Sequence, residues 1–132
     1  MVDVTKAFSG FAVPDLQVAK RFYGETLGLD VSDEADGSLL DLKLGSGAHV
    51  LVYPKPDFEP ATYTILNFPV KDLEATVDEL TSKGVQMQRY DDVEGLGEPD
   101  AKGIYRGNDG PPIAWFTDPA GNILSVMADQ PM

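Results

Sequence analysis

The chain holds a single histidine, His49, and no cysteine, so thiolate chemistry, thiolate zinc sites and disulfides are all excluded. His49 is the one side chain whose ordinary titration lies near neutral pH, which makes it the candidate proton carrier. Tyr53 follows four residues later and could serve as its acid/base partner. The acidic residues are numerous but grouped in turn-like stretches: Asp33, Glu34 and Asp36, then Asp91, Asp92, Glu94, Glu98 and Asp100. Neither group has the spacing of a calcium loop, with its central Gly and terminal Glu, and both read as solvated loops. Gly45-Ser46-Gly47 lacks the spacing of a nucleophile elbow and reads as a turn.

The elements that must carry these residues are marked by an internal repeat. Phe11-Ala-Val13-Pro-Asp15-Leu16 returns as Phe68-Pro-Val70-Lys-Asp72-Leu73, 57 positions later. Each copy ends an apolar strand, sets an Asp where its carboxylate can accept from the first free N–H groups of a helix, and opens an amphipathic run. Leu16, Ala19, Tyr23 and Leu27 in the first run, and Leu73, Val77 and Leu80 in the second, fall near helical spacing. Gly24 or Gly28 stops the first helix and Gly84 the second.

Strands are predicted at Leu29–Ser32, Leu40–Leu44 and His49–Tyr53, with a turn through Asp36-Gly37. The second half is predicted to mirror them with Val85–Tyr90, a long loop, Pro112–Thr117, a turn at Asp118-Pro119-Ala-Gly121, and Ile123–Met127. Between the halves, Pro54 to Pro60 is too proline-rich for helix or central strand and reads as a linker. The expectation is therefore an α+β chain, a single domain of two tandem βαβββ repeats spanning about 5–55 and 61–130. Their sheets would curve into a half-open barrel, helices outside and a pocket on the concave side.

Composition agrees with a folded domain, since 42% hydrophobic and 24% charged residues lie well away from disorder-prone mixtures. A net charge of -12 with scattered basic residues argues against nucleic acid and fits attraction of a cationic ligand as well as simple solubility. No apolar run reaches membrane-spanning length, and Met1 to Thr5 carries no basic segment leading into an apolar one, so a cytoplasmic location is expected.

The opening Phe8-Ser-Gly-Phe-Ala-Val-Pro-Asp-Leu, then Arg21-Phe-Tyr-Gly and Leu27-Gly-Leu, resembles the start of vicinal-oxygen-chelate proteins, the glyoxalase, bleomycin-resistance and extradiol dioxygenase fold. Phe116-Thr-Asp118-Pro119-Ala-Gly121-Asn122 resembles their last hairpin. In the enzymatic members of that superfamily a divalent metal is held by His, Gln or Glu from strands of both halves. Carried onto this chain, those positions fall on Phe8, Leu51, Ile65 and Ser125. Three are hydrocarbon, and a serine hydroxyl is too weakly basic to replace imidazole or carboxylate. The resemblance therefore implies the fold without its metal, and no cofactor is expected.

A pocket without metal recognises its ligand by shape, aromatic faces and a few polar groups. Strand alternation puts His49, Leu51 and Tyr53 on one face, Phe8 with Gly10, Ile65 with Asn67, and Ser125 with Ile123 and Met127; Trp115 could face either way. The loop from Asp91 to Pro112 is read as an ordered cover over the pocket mouth, with Tyr105 and Arg106 as ligand contacts, or else as plain surface. Two functions remain open. One is a metal-independent binding or sequestering protein for a small organic molecule, cationic or aromatic, paired as a homodimer as is common in this superfamily. The other is a lyase, isomerase or dioxygenase relative that uses a carboxylate-bound metal or an acid/base pair such as His49 with Tyr53.

Overall fold

The computed structural model describes residues 1–91, 93–107 and 110–129. The chain is α+β and falls into two compact units, Met1–Pro60 and Ala61–Met132.

In the first unit, β1 (Ser9–Val13) leads into α1 (Leu16–Arg21), a single wide π turn over Phe22–Thr26, and three strands: β2 (Asp30–Glu34), β3 (Leu39–Lys43) and β4 (His49–Pro54). The sheet runs β1-β4-β3-β2, with β1 parallel to β4 and the other pairs antiparallel. Asp15 caps α1, its Oδ1 accepting from the Gln17 backbone N at 2.9 Å. Gly28, at φ 76°, ends the helical stretch in a conformation that a side chain would strain. Period-two alternation turns Phe11, Val13, Leu40, Leu42, Val50 and Val52 inward, all 8% exposed or less, beside Ala19, Phe22 and Tyr23. Phe11 and Tyr23 pack with ring centroids 5.5 Å apart.

In the second unit, β5 (Thr64–Val70) is followed by α2 (Leu73–Ser82), β6 (Ile113–Thr117) and β7 (Ile123–Ala128). The sheet order is β5-β7-β6, again with the first strand parallel to the last. Asp72 caps α2 through Oδ1 and the Ala75 N. The helix closes in a two-bond glycine motif, with Gly84 N donating to Thr81 O and Val85 N to Leu80 O, both at 3.0 Å. Leu73, Val77 and Leu80 are the buried residues of α2, which packs on β7, and Ala114, Phe116, Leu124 and Val126 are the buried residues of β6 and β7 beside Ile113 and Ser125.

The repeat is exact in register where it matters for the site. Phe11 pairs with Val52 and Phe68 with Val126, so Gly10–Leu51 in one sheet corresponds to Asn67–Ser125 in the other.

One predicted strand does not form. Val85–Tyr90 is irregular, and the ladder bond it makes to β6 is Gln88 N to Trp115 O at 2.8 Å. Two of its other polar groups turn to the loop. Tyr90 N donates to Tyr105 Oη at 2.7 Å, and the Arg89 guanidinium donates to the carbonyls of Asp100 and Ala101. The second unit is thus βαββ with an irregular edge. β6 begins at Ile113, one residue later than predicted, since Pro112 has no N–H to give to a ladder. Among the described residues no helix is long and apolar enough to cross a membrane.

Candidate functional site

Each sheet has a face turned away from its helix, and the sequence-predicted residues distribute over these two faces. On the first, register aligns Gly10, Leu51, Asp41 and Ser32 across four strands. Gly10 is open to solvent, and a Cβ there would stand 3.2 Å from Leu51 O, so this floor is flat because it lacks a side chain. Phe8 is 64% exposed and Tyr53 39%.

The polar centre of this face is a contact that sequence reasoning missed. His49 Nδ1 lies 3.0 Å from both Oδ1 and Oδ2 of Asp41, whose side chain is only 12% exposed. A carboxylate can only accept, so Nδ1 carries the hydrogen and Nε2 is left as the outward atom of a half-exposed ring. His49 is therefore partnered by Asp41 rather than by Tyr53. The available signal was Asp41 itself, a charge set between Leu40 and Leu42 in an alternating strand. Ser32 stands opposite Asp41, and its Oγ is buried with no hydrogen-bond partner among the described residues.

The second face is saturated. Ser125 Oγ donates to Asn67 Oδ1 at 2.5 Å. Trp115 lies on this side, opposite Ser125 in the ladder, and its Nε1–H donates to Thr64 Oγ1 at 3.1 Å. A bulge between Thr64 and Leu66 sets Ile65 outside the regular pairing, which is why Thr64 reaches Trp115; alternation alone misses that contact. Tyr90 and Tyr105 pack edge-on to Trp115, at centroid distances of 5.6 and 5.4 Å. Burial pushes the Tyr90 phenol above its ordinary value, with Tyr105 adding to the effect.

The predicted loop contacts part company. Tyr105 is wholly buried and joins Leu96 and Ile113 in a small core. Arg106 reaches α2, bonding Glu74 at 3.3 Å and Asp100 at 3.2 Å. Of the acidic loop cluster, Asp92 lies outside the described residues. Two open clefts, of about 500 and 480 Å3, flank α1 and α2; the first is lined by Gln17, Lys20, Arg21 and Glu25 among others, the second by Val77, Asp78 and Arg89 among others.

The donor set does not fit the divalent metal of the enzymatic superfamily members. The corresponding positions are Phe8, Leu51, Ile65 and Ser125, three hydrocarbon side chains and one neutral hydroxyl too weakly basic to replace imidazole or carboxylate. Among the described residues no three His, Cys, Asp or Glu side chains converge.

No curated protein matches the chain in sequence. Solved structures share its fold. An antibiotic-binding protein from Streptomyces sp. CB03234 is 23% identical, with 98% of this chain and 100% of that one covered at a TM-score of 0.68. A glyoxalase/dioxygenase from Nostoc punctiforme is 15% identical, covering 99% and 97%, TM-score 0.66. The fosfomycin resistance protein FosX from Listeria monocytogenes is 13% identical, covering 98% and 94%, TM-score 0.66. The family model of the Glyoxalase/Bleomycin resistance protein/Dioxygenase superfamily matches residues 6–126, and with the two tandem sheets this establishes that the chain belongs to that superfamily.

Proposed function

We propose that this chain is a metal-independent, cytoplasmic small-molecule-binding protein of the sequestering kind, acting as a homodimer. The observation that carries the reading is the chemistry of the sheet faces. Where relatives that do metal chemistry need imidazole, amide or carboxylate lone pairs, this chain has hydrocarbon or a weakly basic serine hydroxyl. What the faces offer instead is aromatic surface, Phe8 and Tyr53 on one and Trp115 on the other, with few polar groups between. Similarity to an antibiotic-binding protein supports the same class of ligand. The net charge of -12 favours a cationic or neutral compound over an anion.

The proposed contacts are Phe8, His49, Leu51 and Tyr53 from the first unit, and Ile65, Asn67, Trp115 and Ser125 from the second. Tyr105 and Arg106 support them from the loop, the first by packing on Trp115 and the second by pinning the loop to α2.

A second reading, an enzyme using His49 as a base, is favoured by the Asp41–His49 contact, since an oriented imidazole is what general-base catalysis needs.

The test is a thermal-shift screen of aromatic drug-like compounds with chelator present. A ligand at one hundred times its Kd contributes about 2.7 kcal/mol, enough to raise Tm by several degrees. The binding reading expects such shifts with chelator present and the compound recovered unchanged. Shifts that need added metal, or conversion of the compound, contradict it.

A further inference from the structure

On the first sheet face a hydrogen-bond acceptor is held in a fixed orientation beside a flat apolar floor. Asp41 is nearly buried, so its charge needs a partner, and both of its oxygens take the His49 Nδ1–H at 3.0 Å. Two covalently distinct tautomers of a neutral imidazole compete in water; in the neutral ring the carboxylate selects the Nδ1–H form, which leaves the lone pair on Nε2. The His49 side chain is 51% exposed, so that lone pair is accessible. Beside it, Gly10 and Leu51 form a floor with no projecting polar group, and the Phe8 and Tyr53 levels are four residues apart along the strands, about 13 Å. That span accommodates a planar ring system of two or three fused rings.

We propose that the Asp41–His49 pair anchors a planar aromatic ligand bearing a phenolic or enolic hydroxyl, whose O–H donates to His49 Nε2 while its rings lie on Gly10 and Leu51. This deepens the small-molecule reading above and rests on it. His49 touches the ligand; Asp41 is a positioning residue that acts through the tautomer. A ligand with the same rings but no hydroxyl leaves the acceptor unused and binds more weakly. One hydrogen bond of this type is worth about tenfold in affinity.

The experiment uses the full chain, β-naphthol and its methyl ether. Because His49 is the only histidine, a long-range proton–nitrogen spectrum reports its two ring nitrogens without ambiguity. The free protein is expected to give the Nδ1–H pattern, and β-naphthol to shift the Nε2 resonance while binding about tenfold more tightly than the ether. His49→Phe should abolish that preference. Asp41→Ala should shrink it and convert the ring to the Nε2–H pattern, a change that a purely structural role for Asp41 would not produce. Should either variant fail to fold, the spectrum of the parent chain alone decides. Equal affinity for both probes with unmoved ring signals overturns the anchor and leaves the small-molecule reading standing. Failure of both probes to bind the parent overturns the anchor and counts against that reading as well.

Discussion

The Asp118 carboxylate is 3% exposed and is spent on holding a turn. Its Oδ1 accepts from the backbone N of Ala120 and of Asn122, and its Oδ2 from Asn122 Nδ2 at 3.1 Å, while Asn122 Oδ1 takes the Ala61 N. Asp118→Ala strands these donors in a buried site and is expected to cost about 3 kcal/mol, read as a lower urea midpoint at unchanged slope. Ser32 is the opposite case. Its buried Oγ has no partner among the described residues, so Ser32→Ala should leave stability unchanged or raise it by about 1 kcal/mol; a fall in Tm would mean that the hydroxyl is satisfied after all. The turn around Asp118 was legible because Pro119 and Gly121 announce it, and Gly121 does adopt a positive φ of 95°. The Asp41–His49 contact was not legible. It depends on which residues of β3 and β4 stand near each other, and register is set by a hairpin whose length the sequence leaves open.

Among the elements, both helices with their Asp caps and all seven strands could be read directly, because period and punctuation agree at each; the one surplus expectation was a strand over Val85–Tyr90. The loop could not, since its order comes from contacts between residues far apart in sequence. Asp100 is its centre: Oδ1 accepts from Lys102 N and Ile104 N, both at 2.9 Å, and Oδ2 from Arg106. Lys102 in turn bonds Asp78 and Arg106 bonds Glu74, so two cations tie the loop to α2. At the neighbouring edge Tyr90 N donates to Tyr105 Oη instead of to a strand, and the Arg89 guanidinium holds the loop carbonyls of Asp100 and Ala101, which goes with the missing strand.

Burial pushes the Asp100 carboxyl up, but the Ile104 and Lys102 amides and Arg106 outweigh it, and the group sits below its ordinary 3.8. A depressed carboxylate adds stability that is complete above the ordinary value and is lost as pH falls through the lowered one. The loop should therefore hold its amides from pH 7 down to about pH 4 and release those of Lys102 and Ile104 below that. Hydrogen exchange at those two amides checks this. In Asp100→Ala they should exchange fast at every pH, while the α2 amides remain protected.

At the scale of the molecule, two units share a strand-helix-strands order, four strands in the first and three in the second, each with an edge strand parallel to its last strand, and the family assignment rests on the match over residues 6–126. The repeated Phe-x-Val-x-Asp-Leu segment made this order legible, whereas exposure on each face had to come from three dimensions. A homodimer is expected; light scattering across a concentration series should give twice 14.3 kDa, and a constant monomer mass would remove that part of the proposal. The net charge of -12 should make the affinity of a cationic aromatic fall with added salt while that of a neutral one does not.

The proposed metal independence follows from hydrocarbon or hydroxyl side chains standing where the superfamily's enzymes hold their metal. The most direct test is the metal content of the purified protein together with thermal shifts in zinc, nickel, manganese and anaerobic ferrous iron. No metal is expected to copurify in stoichiometric amount and none to raise Tm. A metal bound one to one that stabilises the fold would contradict metal independence and turn the search toward catalysis.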